Sequence, residues 1–92
     1  MVSFNNIKRV VIYGVGLIGG SIGLALKHSG FKGKIIGVGR RWSSLKNAID
    51  AKAVDSATMD LKEALDYAEI LIICTPVDSI KSIAEEAIKF AT

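Results

Sequence analysis

The sequence predicts an α/β fold built on a doubly wound parallel sheet. Apolar segments rich in β-branched residues alternate along the chain with segments whose apolar residues recur at helical spacing. The strand segments are apolar without interruption, which is typical of parallel strands because helices cover both faces of such a sheet. Right-handed crossovers between successive strands then predict the strand order 3-2-1-4, with helices on both faces.

The first strand and the first helix are joined by a glycine-rich turn. We predict a strand over Ile7–Tyr13 and a helix over Leu17–His28, with Gly30 as its cap glycine. The glycines between them follow the spacing Gly14-x-Gly16-x-x-Gly19. A strand, this turn and a helix in that order are typical of a Rossmann-like dinucleotide-binding fold.

Each glycine of the turn has a distinct predicted task. Gly14 permits a tight turn, Gly16 lets backbone amides approach a pyrophosphate, and Gly19 lets the helix pack closely on the strand. The helix N-terminus directs unpaired N–H groups and the positive end of its dipole at the anion. We therefore predict a phosphate cradle, with further contacts from Leu17, Ile18 and Ser21; Ser21 is alternatively a small residue that permits close packing.

The rest of the chain continues the alternation. The predicted strands are Lys34–Gly39, a brief edge strand within Val54–Met59, and Glu69–Cys74. The predicted helices are Trp42–Ala51, a short helix from a reciprocal Asp60-x-x-Glu63 cap through Tyr67, and a last helix capped by Thr75, with Pro76 and Asp78 in its first turn. The last helix is expected to line the core with Val77, Ile80, Ile83, Ala84, Ala87 and Ile88.

Ligands of such folds bind outside the carboxyl ends of the strands, where the strand order reverses. Here that point lies between the first and fourth strands. Three segments are expected to converge there: Gly14–Gly20, Gly39–Ser44 and Cys74–Asp78. We predict that Cys74 and Thr75 turn their backbone toward a diphosphate or a ribose, and that the Cys74 side chain is buried rather than nucleophilic.

The loop after the second strand indicates which nucleotide is bound. Rossmann folds that use NAD carry an acidic residue there, which binds the adenosine ribose. This chain has Gly39 at that position, followed by Arg40 and Arg41, whose guanidinium groups suit a phosphate. We therefore predict NADP rather than NAD, with hydroxyl donors from Ser43 and Ser44. Trp42 either stacks on adenine or covers the second helix.

Composition excludes several other classes. The chain has 92 residues and a net charge of +3 from scattered basic residues, which indicates one small domain and no nucleic-acid partner. The single cysteine excludes an intramolecular disulfide framework and a zinc cluster, and favours the cytoplasm. Val10–Leu26 lacks charge and follows Lys8 and Arg9, but it is too short and too rich in glycine to span a membrane.

Three stretches carry a family resemblance. They are GVGLIGGSIGLALK (Gly14–Lys27), GVGRRWSS (Gly37–Ser44) and DYAEILIICTPVDSI (Asp66–Ile80). Together they resemble the N-terminal nucleotide-binding region of prephenate and arogenate dehydrogenases, over nearly the whole chain from Lys8. The resemblance implies NAD(P)-dependent oxidative decarboxylation in tyrosine biosynthesis. Glycine followed by arginine after the second strand is similar to the members that use NADP.

The resemblance also sets an expected limit on activity. Members of the family continue with further strands and a helical domain that supplies dimer contacts and substrate-binding groups, so we expect residues 1–92 to be the N-terminal part of the nucleotide-binding domain. The expected substrate-binding histidine lies beyond the matched region, and His28 matches no catalytic motif, so no catalytic residue is assigned. The alternatives are another NAD(P)-dependent reductase, or a non-catalytic nucleotide-sensing module. An open sheet edge makes a homodimer possible.

Overall fold

The computed structural model describes residues 7–66, 68–75 and 77–90. In this part of the chain, parallel strands form one sheet in the order β3-β2-β1-β4, which confirms the predicted fold class and strand order. The strands are β1 (Arg9–Tyr13), β2 (Lys34–Val38), β3 (Ser56–Thr58) and β4 (Ile70–Ile73). The helices are α1 (Leu17–His28), α2 (Trp42–Asp50), α3 (Leu61–Leu65) and α4 (Val77–Phe90).

The strands are shorter than predicted, and two carboxylates bind backbone N–H groups near the strand ends. Asp55, which directly precedes β3, accepts a hydrogen bond from the Ile35 N–H through its carboxylate at 2.8 Å. The Glu69 carboxylate likewise accepts from the Lys8 N–H at 2.7 Å. These side chains therefore add to the backbone hydrogen bonds that Asp55 and Glu69 donate to Ile35 and Arg9.

Successive side chains of β1 point to opposite faces of the sheet, so the core has two layers. Val10 and Ile12 of β1 face α1 and α2, where Leu45 and Ala48 are also buried. Val11 faces the opposite side, toward α3 and α4. The buried residues of that second layer are Val11, Val38, Leu61, Ala64, Ile83 and Ala87. A strand with apolar side chains on both faces is what a sheet covered by helices on both sides requires.

The C-terminus of α1 has the predicted glycine cap. Gly30 has φ +92°, and its N–H donates to the Lys27 carbonyl at 3.2 Å. The Phe31 N–H donates to the Leu26 carbonyl at 3.1 Å. This pair of bonds is the Schellman arrangement, in which glycine takes the left-handed conformation most easily.

The predicted reciprocal cap of α3 is only half formed. The Asp60 carboxylate accepts from the Lys62 N–H at 3.0 Å and from the Glu63 N–H at 3.5 Å. Glu63 does not return the bond; its carboxylate accepts from the Thr58 hydroxyl at 3.3 Å, and that hydroxyl accepts from the Asp60 N–H at 3.1 Å. The Thr58 hydroxyl therefore links Glu63 to the Asp60 N–H, in place of the direct bond that a reciprocal cap would form.

Burial of the last strand and helix is less complete than predicted. Ile70 of β4 is 36% exposed and the rest of the strand is half-buried, because β4 pairs with β1 on one side and no described strand covers its other side. On α4, Ile83 and Ala87 are buried, but Ile80 is 38% exposed and Ile88 is 71% exposed. The helix therefore buries fewer of its apolar residues than predicted from the sequence. The side chains of Val77 and Asp78 lie outside the described part of the structure.

Val10–Leu26, the uncharged segment, forms β1, the turn and most of α1. Among the described residues, the structure has no helix with the length and apolar character needed to cross a bilayer.

Candidate functional site

A cleft of about 440 Å³ opens at the carboxyl ends of the strands. The predicted site residues that line it are Gly14, Gly16, Gly39, Arg40, Arg41, Ser44 and Thr75. They come from the loops after β1, β2 and β4. The three loops therefore meet at the reversal of strand order, as the sequence predicts for this fold.

Gly14 makes the turn at the end of β1. It has φ +92°, and its N–H donates to the Val38 carbonyl at 2.7 Å. A Cβ at this position would lie 2.8 Å from the Cys74 carbonyl oxygen and 2.9 Å from Thr75 Cγ2. Glycine is therefore required here both by the backbone conformation and by the close approach of the loop after β4.

The other two glycines of the motif differ in their surroundings. A Cβ on Gly19 would overlap the Gly14 carbonyl oxygen, since α1 lies directly against the end of β1. A Cβ on Gly16 would meet no protein atom within 4 Å. Gly19 is thus needed for packing inside the protein, whereas the space beside Gly16 is free for a ligand that approaches the backbone.

Two helix N-termini without side-chain caps border the cleft. Gly16 is the N-cap of α1 and Arg41 is the N-cap of α2, and neither helix has an acidic residue in its first turn. The first turn of a helix presents backbone N–H groups that lack intrahelical partners, and it carries the positive end of the helix dipole. The cleft therefore favours an anion such as a diphosphate.

The loop after β2 adds positive charge to this cleft. Arg40 and Arg41 are exposed, and neither forms an ion pair with any described residue. Ser44 lines the cleft, whereas Ser43 is exposed away from its lining. Trp42 begins α2 and is 55% exposed, whereas Leu45 and Ala48 of the same helix are buried.

The loop after β4 lies beside the glycine turn at the edge of the cleft. The Cys74 N–H donates to the Tyr13 carbonyl at 2.8 Å, and burial raises the pKa of the half-buried Cys74 thiol. A raised pKa disfavours the thiolate and so argues against a nucleophilic role. Thr75 Oγ1 is buried without a hydrogen-bond partner in the described part of the chain, so the capping bond predicted for it is absent there.

Two further predicted site residues, Ile18 and Ser21, lie outside the lining of the cleft, and the side chain of Leu17 falls outside the described part of the structure. Ile18 is 69% exposed and Ser21 is exposed on α1, while Leu17 begins that helix. The packing role considered for Ser21 belongs instead to Gly23, where a Cβ would overlap the Ala53 carbonyl oxygen. Pro76 falls outside the described residues.

Three of the described residues that line the cleft were not named as site residues from the sequence, although one of them, Val15, lies within the predicted Gly14–Gly20 segment. Tyr13 is the last residue of β1, and Val15 is the variable residue between the first two glycines, so position alone could have suggested both. Ile83 comes from the second turn of α4, and only the packing of that helix against the sheet brings it to the cleft.

A second cavity, of about 580 Å³, lies at the other end of the sheet. Lys8, Lys32 and Lys34 line it, together with the Schellman turn after α1. The carbonyl end of α1 meets this cavity, and the negative end of a helix dipole disfavours anions. Despite its smaller volume, the cleft at the carboxyl ends is therefore the better site for an anionic ligand.

His28 lies at the far end of α1 from the glycine turn. At a rise of ~1.5 Å per residue, eleven helical steps separate it from Leu17 by about 16 Å. The structure therefore separates this histidine from the cleft.

Comparison with known proteins connects this geometry to a family. The family described as "Prephenate dehydrogenase, nucleotide-binding domain" matches residues 22–91. A prephenate dehydrogenase from A. aeolicus, solved with hydroxyphenyl propionate and NAD⁺, is 31% identical with a TM-score of 0.88, over 95% of this chain and 31% of that one.

Two further solved structures agree. An arogenate dehydrogenase from Synechocystis is 33% identical with a TM-score of 0.81, over 91% of this chain and 29% of that one. Another structure of prephenate dehydrogenase from Aquifex aeolicus is 32% identical with a TM-score of 0.84, over 90% of this chain and 30% of that one. The 92 residues thus span about a third of the length of these structures. The chain belongs to the prephenate dehydrogenase family, and it matches the nucleotide-binding domain of that family.

Proposed function

We propose that the cleft binds a nicotinamide dinucleotide and that it prefers NADP to NAD. The observation that carries the proposal is the open space beside Gly16, between two uncapped helix N-termini. Backbone N–H groups at such termini bind a diphosphate without any charged side chain. The A. aeolicus relative, solved with NAD⁺, supports the same class of ligand.

The preference for NADP rests on the loop after β2. Gly39 offers no carboxylate to accept from a ribose 2′-hydroxyl or to repel a 2′-phosphate. Arg40 and Arg41 line the same cleft and have no ion-pair partner among the described residues. A hydrogen bond to a charged group contributes about 1.5–3 kcal/mol, so one arginine contact favours NADPH by roughly ten- to a hundredfold.

Removal of each arginine tests this preference. We expect Arg40→Ala or Arg41→Ala to weaken NADPH binding by about tenfold or more while NADH binding changes little, because only NADPH carries the 2′-phosphate. Isothermal titration calorimetry with both nucleotides measures the ratio. Lys46→Ala is the matched control, since it removes one positive charge from the exposed surface of α2 outside the cleft. An unchanged NADPH-to-NADH ratio in both arginine variants would exclude the proposed phosphate contact.

We further propose that the protein containing this domain oxidatively decarboxylates prephenate or arogenate in tyrosine biosynthesis, in the cytoplasm. A bound nicotinamide would supply the hydride acceptor for that oxidation. The polar side chains that line the described cleft belong to Tyr13, Arg40, Arg41, Ser44 and Thr75. These groups suit the binding of a dinucleotide, so we expect the 92-residue chain alone to bind nucleotide without turning over either substrate.

We also propose that two copies of the chain associate through β4. This strand is an edge of the described sheet, and its residues Ile70–Ile73 are all apolar and half-buried or exposed. An apolar edge strand with unpaired backbone groups is prone to pair with another strand. The opposite edge, β3, has three residues, of which two are hydroxyl-bearing, and is less suited to pairing.

A further inference from the structure

Thr75 presents an unusual polar atom within the cleft. Its Oγ1 is buried and has no hydrogen-bond partner in the described part of the chain. Most buried polar side-chain atoms in native proteins do have a partner, either in the protein or in ordered water. An unpaired buried hydroxyl therefore destabilises the ligand-free protein and calls for a physical explanation.

The location of Thr75 connects that hydroxyl with the ligand. Thr75 lines the cleft together with Gly14 and Gly16. Its Cγ2 lies 2.9 Å from the position that a Cβ on Gly14 would occupy, which puts the side chain directly beside the first glycine of the turn. Oγ1 and Cγ2 are bonded to the same carbon, so the unpaired hydroxyl is next to the proposed phosphate cradle.

We infer that the Thr75 hydroxyl is a hydrogen-bond donor to the diphosphate-ribose part of the bound dinucleotide. Because Oγ1 is buried in the ligand-free chain, this contact requires rotation about the Cα–Cβ bond to another staggered position. A ligand oxygen then provides the partner that the free protein lacks. The inference rests on the proposed function, and it adds a side-chain contact from the loop after β4.

The arrangement gives Thr75 opposite effects on folding and on binding. In the free chain, replacement by the isosteric valine removes an unpaired buried hydroxyl, which is neutral or stabilising. In the complex, the same replacement removes a hydrogen bond. A purely structural role, such as a cap for α4, predicts instead that valine destabilises the free chain and leaves affinity unchanged.

The test compares Thr75→Val with Thr75→Ser, which keeps the hydroxyl. We expect Thr75→Val to leave the thermal unfolding midpoint of the free chain equal or higher, and to weaken NADPH binding by about three- to tenfold, as loss of one hydrogen bond does. Thr75→Ser should bind NADPH within about twofold of the parent chain, because its hydroxyl remains. Differential scanning fluorimetry and isothermal titration calorimetry measure the two quantities.

The probe 2′-phospho-ADP-ribose, which lacks nicotinamide, locates the contact. An equal loss of affinity for this probe and for NADPH supports a contact with the diphosphate-ribose part, whereas a loss for NADPH alone contradicts it. If the parent chain binds NADPH and Thr75→Val binds it equally well, the inference fails while the proposed function stands. If the parent chain binds neither NADPH nor NADH, both fail.

Discussion

The three glycines of the turn show how one residue type serves different physical ends. Gly14 needs a positive φ, and Gly19 needs the absence of a Cβ inside the protein. Both requirements concern folding, so their substitution confounds stability with function. Gly16 is different, because a Cβ there faces open space, at a backbone φ of −69° that any residue adopts.

Gly16→Ala therefore separates ligand binding from folding. We expect it to lower the free energy of unfolding by less than about 1 kcal/mol, the order of a changed N-cap residue. NADPH affinity should fall at least tenfold, since the methyl group occupies the space through which a diphosphate approaches the backbone. Chemical denaturation and calorimetric titration provide the two measurements.

Gly20→Ala is the matched control for that variant. Gly20 lies in α1, and the nearest atom to an added Cβ is the Val15 carbonyl oxygen at 3.9 Å. Alanine should stabilise the helix by about 1 kcal/mol because its helix propensity is higher, without loss of affinity. Equal NADPH affinities for Gly16→Ala and the parent chain would show that the ligand does not approach at this glycine.

Among the elements, α1 is held to the sheet by a contact that the sequence does not reveal. The Lys27 ammonium pairs with the Asp55 carboxylate, whose other oxygen accepts from the Ile35 N–H at 2.8 Å. One carboxylate thus joins the last turn of α1 to the start of β2. The residues are 28 and 20 positions apart, so no local pattern could have predicted the pairing.

The pKa of Asp55 makes this contact dependent on pH. Burial raises the pKa, but the hydrogen bonds from Lys27 and from the Ile35 N–H outweigh burial and hold the pKa below the ordinary value of 3.8. A depressed pKa means that the contact stabilises the fold above pH 4 or so and that its contribution is lost as the pH falls through the folded-state value. The direction follows from the folded protein binding the proton less tightly than the unfolded chain.

Asp55→Ala should lower the free energy of unfolding at pH 7 by about 1 kcal/mol, as loss of a hydrogen-bonded carboxylate does. The deficit should shrink as the pH is lowered below 4. Asp55→Asn, which keeps an acceptor for the Ile35 N–H but loses the charge, should be affected less than Asp55→Ala. Urea denaturation from pH 7 to pH 3 measures all three chains; a deficit independent of pH would contradict the role of the charged carboxylate.

Element types were predictable where local rules decide them. The Schellman glycine, the Asp60 cap and the uninterrupted strands follow from residue types at fixed offsets, and the structure confirms them. The burial of Ile80 and Ile88 was predicted wrongly because periodicity identifies an apolar face without showing what covers it. The insertion of Thr58 between Asp60 and Glu63 likewise depends on where β3 ends.

For the whole molecule, the open edge of the sheet at β4 leads to a prediction about assembly. We expect sedimentation velocity to detect a concentration-dependent dimer, and Ile70→Lys to shift it toward the monomer by placing a charge on the edge. Met59→Lys is the control, since Met59 is 57% exposed next to β3 at the opposite edge. A monomer at every concentration would contradict association through β4.

The same measurement with added NADPH tests the alternative function, a non-catalytic nucleotide-sensing module. That function requires the state of assembly to change when NADPH binds.

At this scale, strand order and the place of the cleft followed from the alternation of strands and helices, since the topology of a parallel sheet fixes where the order reverses. The full set of lining residues did not follow from the sequence, because Ile83 reaches the cleft from α4, on the other face of the sheet from α1 and α2. The structure adds a second cavity at the other end of the sheet, where the carbonyl end of α1 disfavours an anion.

The central claim is that the cleft at the carboxyl ends of the strands binds NADPH. Titration of the isotope-labelled chain with NADPH, followed by two-dimensional NMR of the backbone amides, tests it most directly. We predict saturable shifts concentrated at residues 14–19, 39–44 and 75, with little change at residues 29–34 beside the second cavity. Shifts confined to residues 29–34, or no saturable shifts at all, would contradict the claim.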